Sequence, residues 1–212
     1  LLKGSDINRQ DIKAFILQNS NTMTPLEITT SLMAAFIVFV AIYLCIKTNL
    51  VKNHSPLNTK PGYSFSKVQF LWWTVIISIS FIILYGKTEN YNSFNQSTLI
   101  LLSIGIATAA GANLVDTSQK QNSAVRHQDA DSKGFFADIL SDESGVNVHR
   151  LQAVVFNVLF GVTFLVNLFA FDKFPEFNTS ELGLMGVSSG GYLAMKTNEN
   201  KTNNTAKVSP PQ

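Results

Sequence analysis

The stretch from Lys67 to Gly111 recurs, with no insertion or deletion, at a constant offset of 83 residues, and each copy consists of two apolar runs joined by a short polar loop. A chain built this way is constrained to two tandem hairpins of like design. The register holds residue by residue: Lys67-Val68-Gln69 corresponds to Arg150-Leu151-Gln152, Phe94-Asn95-Gln96-Ser97 to Phe177-Asn178-Thr179-Ser180, and Leu99 to Leu182. Small residues follow the same offset, with Ser103, Ala107 and Gly111 falling on Gly186, Gly190 and Ala194.

The apolar runs are long and free of charge, which sets them apart from the periodic pattern of a water-soluble helix. Ile28 to Ile46, Val68 to Gly86, Gln96 to Val115 and Leu151 to Phe171 carry no Asp, Glu, Lys or Arg. Each approaches or reaches the roughly 20 residues that cross a hydrocarbon core of about 30 Å as a helix. A fifth run, Leu182 to Met195, has only fourteen uncharged positions and several glycines, and its equivalence to Gln96 to Gly111 is what identifies it as a crossing. The expected fold is therefore an all-α integral membrane protein with five transmembrane helices: one anchor helix, then two tandem, parallel-oriented hairpins. Because each hairpin enters and leaves on the same side, a symmetry axis along the membrane normal is expected, unlike the axis of inverted-repeat transporters.

Five crossings put the two ends of the chain on opposite sides, and the basic residues orient it. Eleven of them fall on the face holding the two long connections and the tail, among them Lys47, Lys52, Lys60, Lys67, Lys120, Arg126, Lys133 and Arg150, against five on the other. This predicts an outside amino terminus and a cytoplasmic carboxyl terminus. The chain begins at Leu1 without methionine, so an upstream signal peptide or span is expected to deliver that amino terminus.

The domain reading follows. Residues 1–26 form an extracytoplasmic segment with an amphipathic helix over Ser5 to Asn19; 27–47 the first span; 48–65 a cytoplasmic connection; 66–116 the first hairpin; 117–148 a second cytoplasmic connection; 149–196 the second hairpin; and 197–212 a polar, disordered tail. The second connection is polar up to Gln128, and Gly134 to Leu140 is expected to make a short amphipathic helix against the membrane. About 35 residues cannot bury a core alone. Trp72 and Trp73 are placed at the boundary between headgroups and hydrocarbon, where indole rings suit both media.

Chemistry is sparse. Asp129-Ala130-Asp131-Ser132-Lys133-Gly134 opens like a calcium loop, but its fifth position is Lys133 and the position that needs a bidentate Glu is Leu140. His54, His127 and His149 are dispersed, and Cys45 has no partner for a disulfide within the chain. No nucleophile elbow, phosphate loop or dinucleotide fingerprint occurs, so neither an enzyme nor a cofactor or metal site is expected. The net charge of +2 gives no reason to expect a nucleic-acid partner. Asn157 and Asn167 are the main strongly polar side chains at depth, with Ser78, Ser80, Ser103, Thr108 and Thr163 as weaker ones, and such groups more often join helix to helix than bind a substrate.

The small-residue ladders Ser103/Ala107/Gly111 and Gly186/Gly190/Ala194 lie at i, i+4 and i+8, which places each on one helix face and lets backbones approach closely. They are read as packing positions, between the two helices or between subunits, or as the lining of a pore.

The two copies, Ser66-Lys67-x-Gln69 through Trp72-Trp73-Thr74 and His149-Arg150-x-Gln152 through Leu184-Met185-Gly186-Val187-Ser188-Ser189-Gly190-Gly191-Tyr192-Leu193, resemble an uncharacterised group of bacterial multi-pass membrane proteins with a tandem two-helix repeat. The resemblance covers residues 63 to 196 and implies a bacterial cytoplasmic (inner) membrane but no substrate. Phe156 stands where the first copy has Trp73. The expected function is that of a non-enzymatic, homo-oligomeric membrane anchor or structural subunit, partnered by the lipid bilayer and by other membrane or extracytoplasmic proteins. The alternative is a homo-oligomeric channel for ions or small solutes, lined by the third and fifth helices.

Overall fold

A computed structural model describes residues 23–53, 59–90, 94–121, 126–142 and 144–199. Five long helices dominate it: α1 (Pro25–Lys47), α2 (Phe65–Thr88), α3 (Gln96–Gln121), α5 (Val148–Phe171) and α6 (Thr179–Asn198), with a short α4 (Phe135–Leu140) between α3 and α5. The helix predicted over Ser5 to Asn19 lies outside the described residues.

Local sequence explains the ends. Thr24 and Glu27 close a capping box around Pro25 at the start of α1, and Asn178 and Glu181 do the same for α6. Asn147 caps α5 by accepting from the His149 backbone N–H. The duplication holds at three of the four helix boundaries: α2 and α5 start and stop 83 residues apart, and the starts of α3 and α6 are 83 residues apart, whereas α3 runs on to Gln121 and α6 ends at Asn198. Even the C-caps correspond. Glu89 (φ 56°) and Asp172 (φ 49°), which end α2 and α5, are the two non-glycine residues in the left-handed region among the described residues.

Four helices, α1, α2, α3 and α5, are long and apolar enough to cross a membrane. The expected fifth, α6, is a 20-residue helix whose mixed composition does not meet that measure, because glycines, serines and threonine dilute its apolar residues. The outer surface agrees with a lipid environment. Leu32, Phe36 and Phe39 of α1 and Leu159, Val162 and Val166 of α5 are exposed, a belt that water would not tolerate over such an extent.

The four hairpin helices pack in the cyclic order α2, α3, α6, α5, and α1 lies mainly against α2. Each helix therefore stands beside its own copy: Trp73 of α2 meets Asn157 and Phe164 of α5, and Gly111 of α3 meets Leu193 of α6. A twofold axis along the membrane normal through the bundle would instead place copies across a diagonal, so the expected axis is not the relation found. The hairpins lie side by side, and they bury different positions: Trp73, Ile77, Ser80 and Leu84 on α2, but Ala153, Asn157, Gly161 and Phe164 on α5.

Two apolar clusters make the core. The larger joins Trp73, Ile76, Leu101, Phe164, Leu168 and Met185 to Phe174 and Phe177 of the second hairpin's loop. The smaller, at the opposite end, joins Phe65, Ala112, Ala153 and Tyr192 to Ile139 of α4. Thus α4 plugs the bundle through Ile139, while its Phe136 stays exposed.

Candidate functional site

The end of the bundle beneath α4 gathers the chain's buried charge. Arg150, near the start of α5, pairs with Glu199 just past α6, and both side chains are under a tenth exposed. Gln128 Nε2 donates to the second Glu199 oxygen at 2.9 Å. Lys196 Nζ lies 3.0 Å from Asp116 Oδ1 on α3, and Arg126 bridges Asp116 at 3.7 Å and Asp129 at 2.5 Å. Three cations thus face three anions in one network, the arrangement in which burying charge is tolerable. The Arg150 guanidinium also sits 5.4 Å above the Tyr192 ring, which packs edge-on against Phe65 at 4.7 Å.

Acidic residues of the second connection clasp the first. Asp131 accepts from the Thr59 and Lys60 backbone N–H groups, each at 2.9 Å, and from Thr59 Oγ1 at 3.0 Å. These bonds, the Lys60 N–H foremost, hold its carboxyl below the usual range. Asp138 accepts from the Tyr63 N–H at 3.0 Å and the Lys133 N–H at 2.9 Å. The acids of the calcium-like segment are therefore taken up by Arg126 and by backbone donors. Among the described residues no cluster of three or more His, Cys, Asp or Glu is arranged to hold a metal.

Between the clasp and the charge network lies a cavity of about 150 Å³ bordered by Tyr63, His127, Asp138, Asp142, Arg150 and Lys196. His127 borders it with its pKa pushed down, chiefly by burial and then by the nearby Arg150. The cations that face the cavity from α5 and α6 already have carboxylate partners.

A polar layer separates the two apolar clusters. Gln69 Nε2 donates to Ser189 Oγ at 3.2 Å, and Trp73 Nε1 donates to Asn157 Oδ1 at 2.7 Å, while Asn157 Nδ2 returns to the Ala153 carbonyl at 2.7 Å. Trp73 is wholly buried, which corrects its expected place at the membrane boundary: its N–H is satisfied by Asn157 inside the bundle. Trp72 is partly exposed, donates to the Asn157 carbonyl at 3.2 Å and lies over Gly161, where a Cβ would come within 2.6 Å of its ring. It too serves contact between α2 and α5.

The ladders fall elsewhere. Ser103, Ala107, Gly190 and Ala194 are exposed, and Gly111 and Gly186 are half-buried. Of the ladder glycines, Gly111 faces the partner helix, where an added Cβ would lie 3.0 Å from Leu193 Cδ1. The faces that α3 and α6 bury are instead Leu101, Gly105, Thr108 and Ala112 on one and Met185, Ser188, Ser189 and Tyr192 on the other.

The charge network was not legible in the sequence. Glu199 lies in what reads as a disordered tail, yet it is buried and bonded because α6 runs on to Asn198. Thr117 to Gln121, assigned to the second connection, continues α3, and Gln119 Nε2 donates to the Glu199 carbonyl at 3.0 Å. A charged residue at the same helix end in both copies, Lys67 and Arg150, was the available signal. No protein-family model, curated protein or solved structure matches this chain.

Proposed function

We propose that this chain is a non-enzymatic scaffold subunit of a bacterial cytoplasmic membrane, with five crossings and its charged cap in the cytoplasm, that assembles with copies of itself through the small-residue faces of α3 and α6. The observation that carries the reading is the open face of α6: a Cβ at Gly183, Gly186, Gly190 or Gly191 would meet nothing within 4 Å. Glycine inside a helix costs about 1 kcal/mol relative to alanine, and among the described residues nothing uses the space it leaves. Close backbone approach of a second helix does use it.

The fifth crossing is supported by depth. α6 keeps step with α3 from the Ser97–Phe177 bond at one end to the Asp116–Lys196 pair at the other, so it covers the thickness that α3 covers. The excess of Lys and Arg on the capped side supports its cytoplasmic placement.

Cross-linking in native membranes and the mass of the complex in mild detergent test the assembly. Gly190→Leu and Gly186→Leu are expected to shift the oligomer to monomer while leaving monomer stability unchanged or higher. An unchanged oligomer overturns the reading. Conductance of the purified oligomer in planar bilayers would favour the channel alternative over the scaffold.

A further inference from the structure

We propose that the groove between α1 and α2 is a binding site for one anionic phospholipid, with an acyl chain between the helices and the headgroup among the lysines of the first connection. The groove has a volume of about 410 Å³ and is lined by Ala41 and Ile42 of α1, Leu71 and Trp72 of α2, and Tyr63 and Phe135, which close its capped end. At the far end the two helices meet closely: Thr30, buried on α1, faces Gly86 of α2, where a Cβ would lie 2.0 Å from Thr30 Oγ1. Toward the capped end the groove between them is open among the described residues.

Charge decides which lipid fits. The groove closes where α1 ends at Lys47 and α2 begins, and the connection between them carries Lys47, Lys52, Lys60 and Lys67 with no acid from 47 to 67. Lys52 Nζ lies 5.4 Å from the centre of the Tyr63 ring at the groove's closed end, and Lys67 Nζ donates to the Lys52 carbonyl at 2.6 Å. The one carboxylate bonded beside Tyr63, that of Asp138, is occupied by the Tyr63 and Lys133 N–H groups and by Ser132 Oγ. An apolar slot ending at a basic rim matches a phosphate-bearing lipid of the adjoining leaflet, and each lysine near such a surface contributes about fivefold in affinity.

The chain's two tryptophans make the test specific, since Trp72 lines the groove and Trp73 is sealed inside the bundle. The protein would be reconstituted in phosphatidylcholine vesicles with increasing brominated phosphatidylglycerol or, in parallel, brominated phosphatidylcholine, and tryptophan quenching recorded. Quenching should reach half its maximum at a several-fold lower mole fraction of the anionic lipid. It should disappear in Trp72→Phe, lose its anionic preference in Lys52→Gln/Lys67→Gln, and weaken with both lipids in Ala41→Phe, which fills the slot. Identical curves for the two lipids mean ordinary boundary lipid and overturn the proposal, as does an absence of quenching. The two-lipid comparison on the unaltered protein decides the matter even if a variant misfolds. It reads a groove within one chain, so its outcome does not depend on whether the chain self-assembles.

Discussion

Single residues decide how closely these helices approach. At Gly86 a methyl group would overlap Thr30 Oγ1, so Gly86→Ala should lower stability by about 1–3 kcal/mol, the usual cost of overpacking. Thr30→Gly in the same chain should restore most of the loss, as measured by unfolding in detergent, because the obstructing atoms are then gone. Trp73 makes a different case. Trp73→Phe keeps most of the ring but leaves Asn157 Oδ1 without its donor in a buried layer, at an expected cost of about 1–3 kcal/mol. Neither role is visible in the sequence, where Trp72 and Trp73 are adjacent and look alike. Both make a bond from the indole nitrogen to Asn157, one to its carbonyl and one to its side chain, and only the placement of α5 beside α2 shows it.

Among elements, the join between α5, α6 and the second connection depends on Arg150 and Glu199. Removing one partner of a buried pair leaves a charge without compensation, so Arg150→Met should cost about 3–5 kcal/mol. Replacing both, Arg150→Met with Glu199→Leu, should recover most of that, and a double-mutant cycle by chemical denaturation measures the coupling. His127, on the short helical turn His127–Asp129, adds a pH dependence. Its folded-state pKa lies below the ordinary 6.5, so the unfolded chain binds the proton more readily. Stability is then full above about pH 6.5 and falls as pH drops through and below that value toward the folded pKa. His127→Gln should flatten this part of the profile in thermal melts taken between pH 5 and 8. Sequence showed that Gly134 to Leu140 would make a helix, and the structure adds that Ile139 enters the bundle core with Phe65, Ala153 and Tyr192 while Phe136 stays exposed.

For the whole molecule, the side-by-side hairpins leave equivalent positions in unequal surroundings, with Trp73 sealed and Phe156 only partly buried. The copies are therefore not interchangeable: Phe156→Trp should be tolerated within about 1.5 kcal/mol, while Trp73→Phe is not neutral. The duplication and the four strongly apolar runs were determined by sequence alone. Partition into lipid and closure of backbone hydrogen bonds are properties of each segment, and a run of uncharged residues between capping signals states them locally. The order of the helices around the bundle, the buried face of each, and the capture of Glu199 were decided only by tertiary structure. A membrane helix is apolar all round, so its pattern carries little sign of which side meets protein and which meets lipid. That choice falls to the shapes of residues brought together from distant segments, such as Trp72 over Gly161 and Thr30 against Gly86, and to the few polar groups that must find partners inside.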